Sequence, residues 1–271
     1  MSKTILITGA TDGIGLEAAK ALAADGHTLL LHGRNLEKLA RARRVVSKVS
    51  GSGDIACFCA DLSDFDAVEQ LARDITDQCK TLDVLINNAG VFMTSDAITS
   101  DKLDSRFVVN TLSPYLLTHR LLALVPADGR IINLSSAAQA TVDTNALQGN
   151  ARLSHNAAYA QSKLAITMWS IHLARQLGSA GPSVIAVNPG SLLGSKMVQE
   201  AYGMAGHDLQ IGADILYRAA VGDDFSGATG RYFDNDSGRF ASPHADALDA
   251  HKTADVIGTL DALLATLGHP V

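Results

Sequence analysis

The segment Thr8-Gly9-Ala10-Thr11-Asp12-Gly13-Ile14-Gly15 lies between the apolar run Ile5-Leu6-Ile7 and an amphipathic stretch that begins at Ile14. That order suits a strand turning sharply into a helix. Glycine permits the turn and lets backbone approach a ligand closely. The helix N-terminus supplies N–H groups and a positive dipole end for a phosphate. Taken alone, the same residues also read as a plain glycine-rich turn.

The alternation continues along the chain. Strands are expected over 3–8, 28–32, 54–60, 82–87, 130–134, 183–188 and, briefly, 231–233. Between them, helices are expected over 14–24, 36–48, 65–78 (capped by Asp64 or Ser63), 103–125 with a kink near Pro114, 155–177 and 245–267. Runs such as Thr28-Leu29-Leu30-Leu31 are almost continuously apolar, which suits a parallel sheet covered on both faces. The expected fold is α/β: a doubly wound, Rossmann-type parallel sheet of about seven strands, one domain over residues 1–271. The irregular stretches 137–154 and 191–212 follow the fifth and sixth strands, where such a sheet binds ligands, and read as insertions near a substrate.

Composition closes off other classes. Hydrophobic residues at 47% and charged residues at 18% exclude a disordered chain. A net charge of −6 leaves no basic face for nucleic acid, and 5% aromatics offer no stacking platform. Cys57, Cys59 and Cys79 make no disulfide framework, and no His/Cys grouping has zinc spacing, so no metal is expected. Cys57 and Cys59 share one side of the third strand and read as core. Neither a targeting segment nor an apolar run of transmembrane length is seen, so a cytoplasmic location is expected.

Several short motifs carry chemistry. At the end of the second strand stands His32-Gly33-Arg34, with no acid to accept from a ribose 2′-OH. Arg34 is the candidate for a 2′-phosphate, which favours NADP(H) over NAD(H); an exposed surface Arg is the alternative. Asp61, followed by Leu62, could accept from an adenine amino group or cap the next helix. Asn87-Asn88-Ala89-Gly90 ends the fourth strand: Asn can tie loops together, and Ala-Gly leaves room for a ribose, though an ordinary turn fits too. Tyr159 and Lys163, four residues apart, share a helix face. A free phenol is too weak an acid for proton transfer at neutral pH, and a neighbouring ammonium corrects that. A partly buried Tyr beside a surface Lys is the blander reading. His155 lies one turn before Tyr159, at a position that either lines the site or starts a solvated helix. Met197, Tyr202 and Met204 either form an apolar lid or one face of an ordinary helix.

In this order the motifs resemble those of the short-chain dehydrogenase/reductase family over most of the chain. TGxxxGxG corresponds to Thr8–Gly15, NNAG to Asn87–Gly90, the mid-helix Asn to Asn110, the Ser to Ser136, YxxxK to Tyr159 and Lys163, and PG to Pro189-Gly190. The wording around Ser135-Ser136 and Tyr159 (SSAAQ…YAQSKLA) is similar to the branch of retinol dehydrogenases and WW-domain oxidoreductases. The resemblance implies Tyr159 as general acid/base, Lys163 on the nicotinamide ribose, Ser136 on the substrate oxygen, and Asn110 holding a relay water. It implies cofactor contacts from Gly9, Thr11, Asp12, Gly13, Ile14, Gly15, Arg34, Asp61, Leu62, Asn87, Ala89, Gly90, Tyr159, Lys163, Pro189, Gly190 and Leu192. Two departures stand out: the segment after Pro189-Gly190 runs one residue longer, so Ser195 replaces the usual Thr at uncertain register, and residues 141–154 lengthen the gap between Ser136 and Tyr159.

The expected function is an NADP(H)-dependent oxidoreductase that interconverts a carbonyl and an alcohol on a small or medium apolar substrate. The alternatives are a non-catalytic nucleotide-binding redox sensor and a C=C reductase. The two long helices resemble the family's pairing surface, which implies a homodimer or homotetramer.

Overall fold

The computed structural model describes residues 2–49, 51, 53–194, 199, 203 and 205–271. Eight strands form one sheet: β1 (Thr4–Ile7), β2 (Thr28–Gly33), β3 (Ile55–Cys59), β4 (Val84–Asn87), β5 (Arg130–Leu134), β6 (Ser183–Asn188), β7 (Tyr232–Asp234) and β8 (Arg239–Ala241). Their order is β3-β2-β1-β4-β5-β6-β7-β8. All neighbours are parallel except β7 and β8. The last strand was not foreseen. Asn235-Asp236-Ser237-Gly238 turns β7 back on itself, and Gly238 takes the left-handed conformation (φ 66°) that closes such a turn.

Helices α1 (Gly13–Ala24), α2 (Leu36–Val46) and α3 (Phe65–Gln78) fall close to their expected places. Asp12, Asn35 and Asp64 cap them with side-chain oxygens on the first free N–H groups. The long helix around Pro114 is broken into α4 (Ser105–Phe107), a wide turn over Val108–Leu112, and α5 (Ser113–Leu121). Pro114 lacks the N–H that would close an α-helical bond onto Asn110, and Ser113 N–H reaches back five residues to Val108 O. Then follow α6 (Thr144–Leu147), α7 (His155–Leu177), α8 (Leu209–Val221) and α9 (Ala250–Thr266). The C-terminal helix begins later than expected because Asp249 caps it; 245–248 form a separate 3-10 turn.

Side-chain alternation explains the apolar strands. Leu6, Leu30, Leu85, Ile131 and Val184 face one core with α3, α5, α7 and α9. Ile5, Ile7, Leu29, Leu31, Ile86, Ile132 and Ile185 face the other with α1, α2 and α8. The order in which successive strands are added to the sheet reverses between β1 and β4, which run parallel. That switch point opens a crevice at the strands' carboxyl ends.

Two expectations need correction. Cys59 is exposed and Cys57 only half-buried, because β3 is the outermost strand and α2 covers it loosely. The 137–154 stretch is not all open loop: its α6 buries Ala146 and Leu147 in the same core as α9. The α5/α7 pair is also covered from within the chain. Val256, Ile257, Leu260 and Leu264 of α9 are buried in that core, and the Tyr115 hydroxyl donates to Asp261 (2.7 Å).

Candidate active site

The glycine segment is shaped by close approach. Gly9 (φ 67°) and Gly13 (φ 56°) hold left-handed backbone, and a Cβ on Gly15 would lie 2.4 Å from Asn88 Nδ2 and 2.5 Å from Gly9 O. Asn88 is the stitch across the switch point. Its Nδ2 donates to Thr8 O (2.8 Å) and Gly9 O (3.1 Å), while its backbone N–H and that of Ala89 donate to Thr8 Oγ1. Asp12 is committed to Gly13 N–H as the cap of α1. Thr11 lies over Gly33, where a Cβ would come within 2.4 Å of its methyl.

His32, in the middle of this frame, is buried. Its Nδ1 accepts from Gly9 N–H (3.3 Å) and its Nε2 lies 3.0 Å from Ala60 O, so the ring is neutral with the proton on Nε2. Burial holds its pKa down at about 4, despite the opposing pull of the Ala60 carbonyl and Asp61. Arg34 just beyond is exposed and has no hydrogen bond or ion pair among the described residues. Asp61 turns its Oδ1 onto Ser63 N–H and Oγ, while Asp64 caps α3. Leu62 is buried, its carbonyl accepting from Ser113 Oγ.

The second half of the site is built on α7. Lys163 is buried, and its Nζ donates to Leu134 O (2.7 Å), the last residue of β5. The same Nζ lies 5.7 Å from the centre of the Tyr159 ring. Desolvation lowers the Lys163 pKa to about 8. Gly90 faces this cluster: a Cβ there would lie 3.6 Å from Lys163 Nζ and 3.3 Å from Asn110 Oδ1. The two serines separate by geometry. Ser135 Oγ is buried against Lys163 O and Thr167 Oγ1, inside the fold. Ser136 is half-buried, and its carbonyl accepts from Gln139 Nε2 (2.9 Å) and the Tyr232 hydroxyl (3.1 Å).

Two members of the expected set have their side chains bonded within the frame. The Asn87 amide is buried and donates to Thr118 Oγ1 and Asn133 Oδ1 between β4, β5 and α5, so its side chain is internal. The Asn110 side chain accepts from Val91 N–H (2.8 Å) and donates to Val91 O and Ser162 Oγ (both 3.0 Å). It is a strut between the β4 exit and α7. After β6, Gly190 (φ 120°) and the exposed Leu192 (φ 53°) shape the next loop. Asp236, in the β7–β8 turn, accepts from Ser191 N–H (2.7 Å) and Oγ (2.6 Å), and Asn235 Nδ2 donates to Pro189 O. Ser195, Met197, Tyr202 and Met204 lie outside the described residues. Among the described residues no cluster of three or more His, Cys, Asp or Glu could hold a metal.

The sequence reading of Asn87-Asn88 as tying loops together fits Asn88, while His32, Gln139, Tyr232 and Asp236 were missed as positioning groups. Those four are set by partners distant in the chain.

The glycine cradle at a helix N-terminus, an uncommitted Arg at the end of β2, and the Gly90 gap beside a buried ammonium fit a dinucleotide. The architecture is therefore a Rossmann-like α/β fold whose site fits a dinucleotide. A family model for short chain dehydrogenases matches residues 3–205, and the chain belongs to that family. Human retinol dehydrogenase 13 is 30% identical over 263 residues, covering 90% of this chain and 80% of that protein. Mouse retinol dehydrogenase 11 is 36% identical over 194 residues, covering 70% of this chain and 61% of that protein. Among solved structures, an uncharacterised protein from Mycobacterium paratuberculosis aligns with a TM-score of 0.79 at 28% identity, covering 96% of this chain and 92% of that one. Angucycline C-6 ketoreductase LanV with bound NADP aligns at 0.70 and 26% identity, covering 86% and 93%. Among the described residues no helix is long and apolar enough to cross a membrane.

Two stability predictions follow from the buried bases. The folded protein disfavours His32 protonation, whereas the unfolded chain takes up that proton below pH 6.5. Stability from this residue is full above that pH and falls by about 3 kcal/mol as the pH drops towards 4. Denaturant melts at pH 7 and 4.5 should show a smaller acid loss in His32→Asn than in the parent. Lys163 carries the opposite burden: its buried ammonium is a cost below about pH 8 that fades towards pH 10.5. Lys163→Met should raise stability at pH 7 by about 1–3 kcal/mol, less than the full desolvation cost because Leu134 O loses its donor. The gap between the two proteins should narrow in melts above pH 8.

Proposed function

We propose that this chain is an NADP(H)-dependent oxidoreductase that interconverts a carbonyl and an alcohol on a small or medium, fairly apolar substrate. The observation that carries this is the Tyr159–Lys163 pair, set one helical turn apart on α7 with the ammonium anchored on Leu134 O at the end of β5. Gly9, Thr11, Asp12, Gly13, Ile14 and Gly15 would hold the pyrophosphate, and Arg34 the 2′-phosphate. Asp61 and Leu62 would flank the adenine, with Ala89 and Gly90 beside the adenosine and nicotinamide riboses, and Pro189, Gly190 and Leu192 would face the carboxamide. When bound, the nicotinamide supplies or accepts the hydride.

The protein's own part is orientation and proton transfer. Tyr159 gives its phenolic proton to the carbonyl oxygen in reduction and takes it back in oxidation. The Lys163 ammonium favours negative charge on that phenol and hydrogen-bonds the ribose hydroxyls. Ser136 Oγ holds the substrate oxygen, and the two donors on its carbonyl keep that residue in place. Ser135 is already committed within the fold. Asn110 keeps the Gly90–Val91 turn at its distance from α7. Exposed Met93, next to the Phe92 that packs on the Tyr159 ring, suits an apolar substrate, as do the retinol dehydrogenases among the relatives.

For assembly, the covered α5/α7 surface favours a monomer over the family-like dimer. Pairing through that surface would require α9 to leave the core it shares with Leu116 and Trp169.

Tyr159→Phe should bind NADPH as the parent does and lose turnover by about 10²–10⁴-fold in a stopped-flow or steady-state assay; undiminished turnover would refute the mechanism. Arg34→Ala should weaken NADPH binding by roughly 10–100-fold and leave NADH nearly unaffected in fluorescence titrations. Sedimentation should give a single species near the 28.4 kDa chain mass.

A further inference from the structure

Arg106 is the chain's most deeply buried arginine, at 2% exposure. Its guanidinium joins three segments at the site. Nη2 donates to Asp104 Oδ2 (2.7 Å), the cap of α4, and Nη1 donates to Phe92 O (3.1 Å) beyond β4. Nη1 also lies 3.0 Å from His155 Nδ1, in the first turn of α7. The Phe92 ring rests on the Tyr159 ring, with centroids 4.8 Å apart. A buried ion pair is weak evidence for stability, since apolar residues of similar volume often serve as well. Its Nε is buried without a partner, a further cost. The arrangement is better explained by what the guanidinium imposes on its neighbours.

Arginine only donates, so His155 Nδ1 must accept. That makes His155 neutral, with its proton on Nε2 at the far side of the ring. Among the described residues nothing accepts from Nε2, and it is not among the buried unpartnered atoms. His155, Tyr159 and Lys163 are spaced four apart on one face of α7. The His155 N–H donor therefore stands on the same face of α7 as the phenol, one turn before it.

We propose that His155 is a specificity-determining donor and Arg106 the positioning residue that fixes its tautomer, so that the site prefers carbonyl substrates bearing a second acceptor oxygen about one helical pitch from the reacting one. This rests on the carbonyl-reductase reading above. Cyclic 1,4-diketones have that spacing, and their monoketone analogues lack the second oxygen.

The test pairs spectroscopy with selectivity. In ¹⁵N-detected histidine spectra of the NADP-bound protein, His155 should show the neutral Nε2–H tautomer, and Arg106→Met should release it to the ordinary mixture. Adding cyclohexane-1,4-dione should move the Nε2 resonance, whereas cyclohexanone should not. In NADPH assays the dione should exceed cyclohexanone in kcat/KM by about tenfold, the discrimination one hydrogen bond provides. His155→Ala and Arg106→Met should bring that ratio close to one, and His155→Gln, which keeps a donor, should restore part of it. A protonated or Nδ1–H His155, an unmoved Nε2 resonance, or a ratio unchanged in His155→Ala would overturn the proposal. Failure of the parent to reduce either ketone would count against the carbonyl-reductase reading alone, because the tautomer and the dione-induced shift still decide the roles of His155 and Arg106.

Discussion

The contact on which the site depends is the Lys163 ammonium buried against the Leu134 carbonyl. Burying a cation this fully disfavours its charge, and the lowered pKa records that cost. The fold accepts the cost where it sets geometry. The bond ties α7 to the end of β5 and so places Tyr159 one turn away at the crevice mouth. Gly90 lies alongside, where a Cβ would be in ordinary contact with the ammonium at 3.6 Å and tight against Asn110 Oδ1 at 3.3 Å. Asn110 then holds the Gly90–Val91 turn against α7 through Val91 and Ser162. Each piece is intelligible only because the ammonium is fixed first.

Around that charge, the frame uses neutral polar groups with their hydrogen bonds largely satisfied. His32 spans Gly9 and Ala60 as an uncharged ring, and Asn88 laces the first strand's exit to the fourth's. Gln139 and Tyr232 both hold the Ser136 carbonyl. Satisfied networks of this kind rigidify a site without adding fields that compete with an anionic ligand. Positive charge is left where a ligand can use it, at Lys163 and at the uncommitted Arg34. The buried Arg106–Asp104 pair is the exception, and its place beside His155 and Phe92 connects it to substrate discrimination.

The chain's own C-terminal helix shapes another property. Helix α9 and the short α6 bury apolar side chains against α5 and α7, so the longer gap between Ser136 and Tyr159 is partly core material rather than free loop. The β7–β8 turn acts similarly at the other flank, where Asp236 and Asn235 hold the Pro189–Ser191 segment. Both features come from residues late in the chain that stabilise loops formed much earlier.

The sheet was legible because its strands alternate between two apolar cores, and periodicity records that directly. Helix α3 begins after a capping Asp, and α7 follows Ser154 for the same reason. The glycine segment and the Tyr159–Lys163 spacing were legible because a turn and a helix face are local properties. Pro114 announced its own break by lacking an N–H. Tertiary structure decided the rest: that Ser135 turns inward while Ser136 stays accessible, that Asn87 is internal, that Cys59 sits on an outer edge, and that Arg106 reaches His155. Those outcomes depend on which distant segment arrives opposite a side chain, and residue spacing along the chain does not encode that partner.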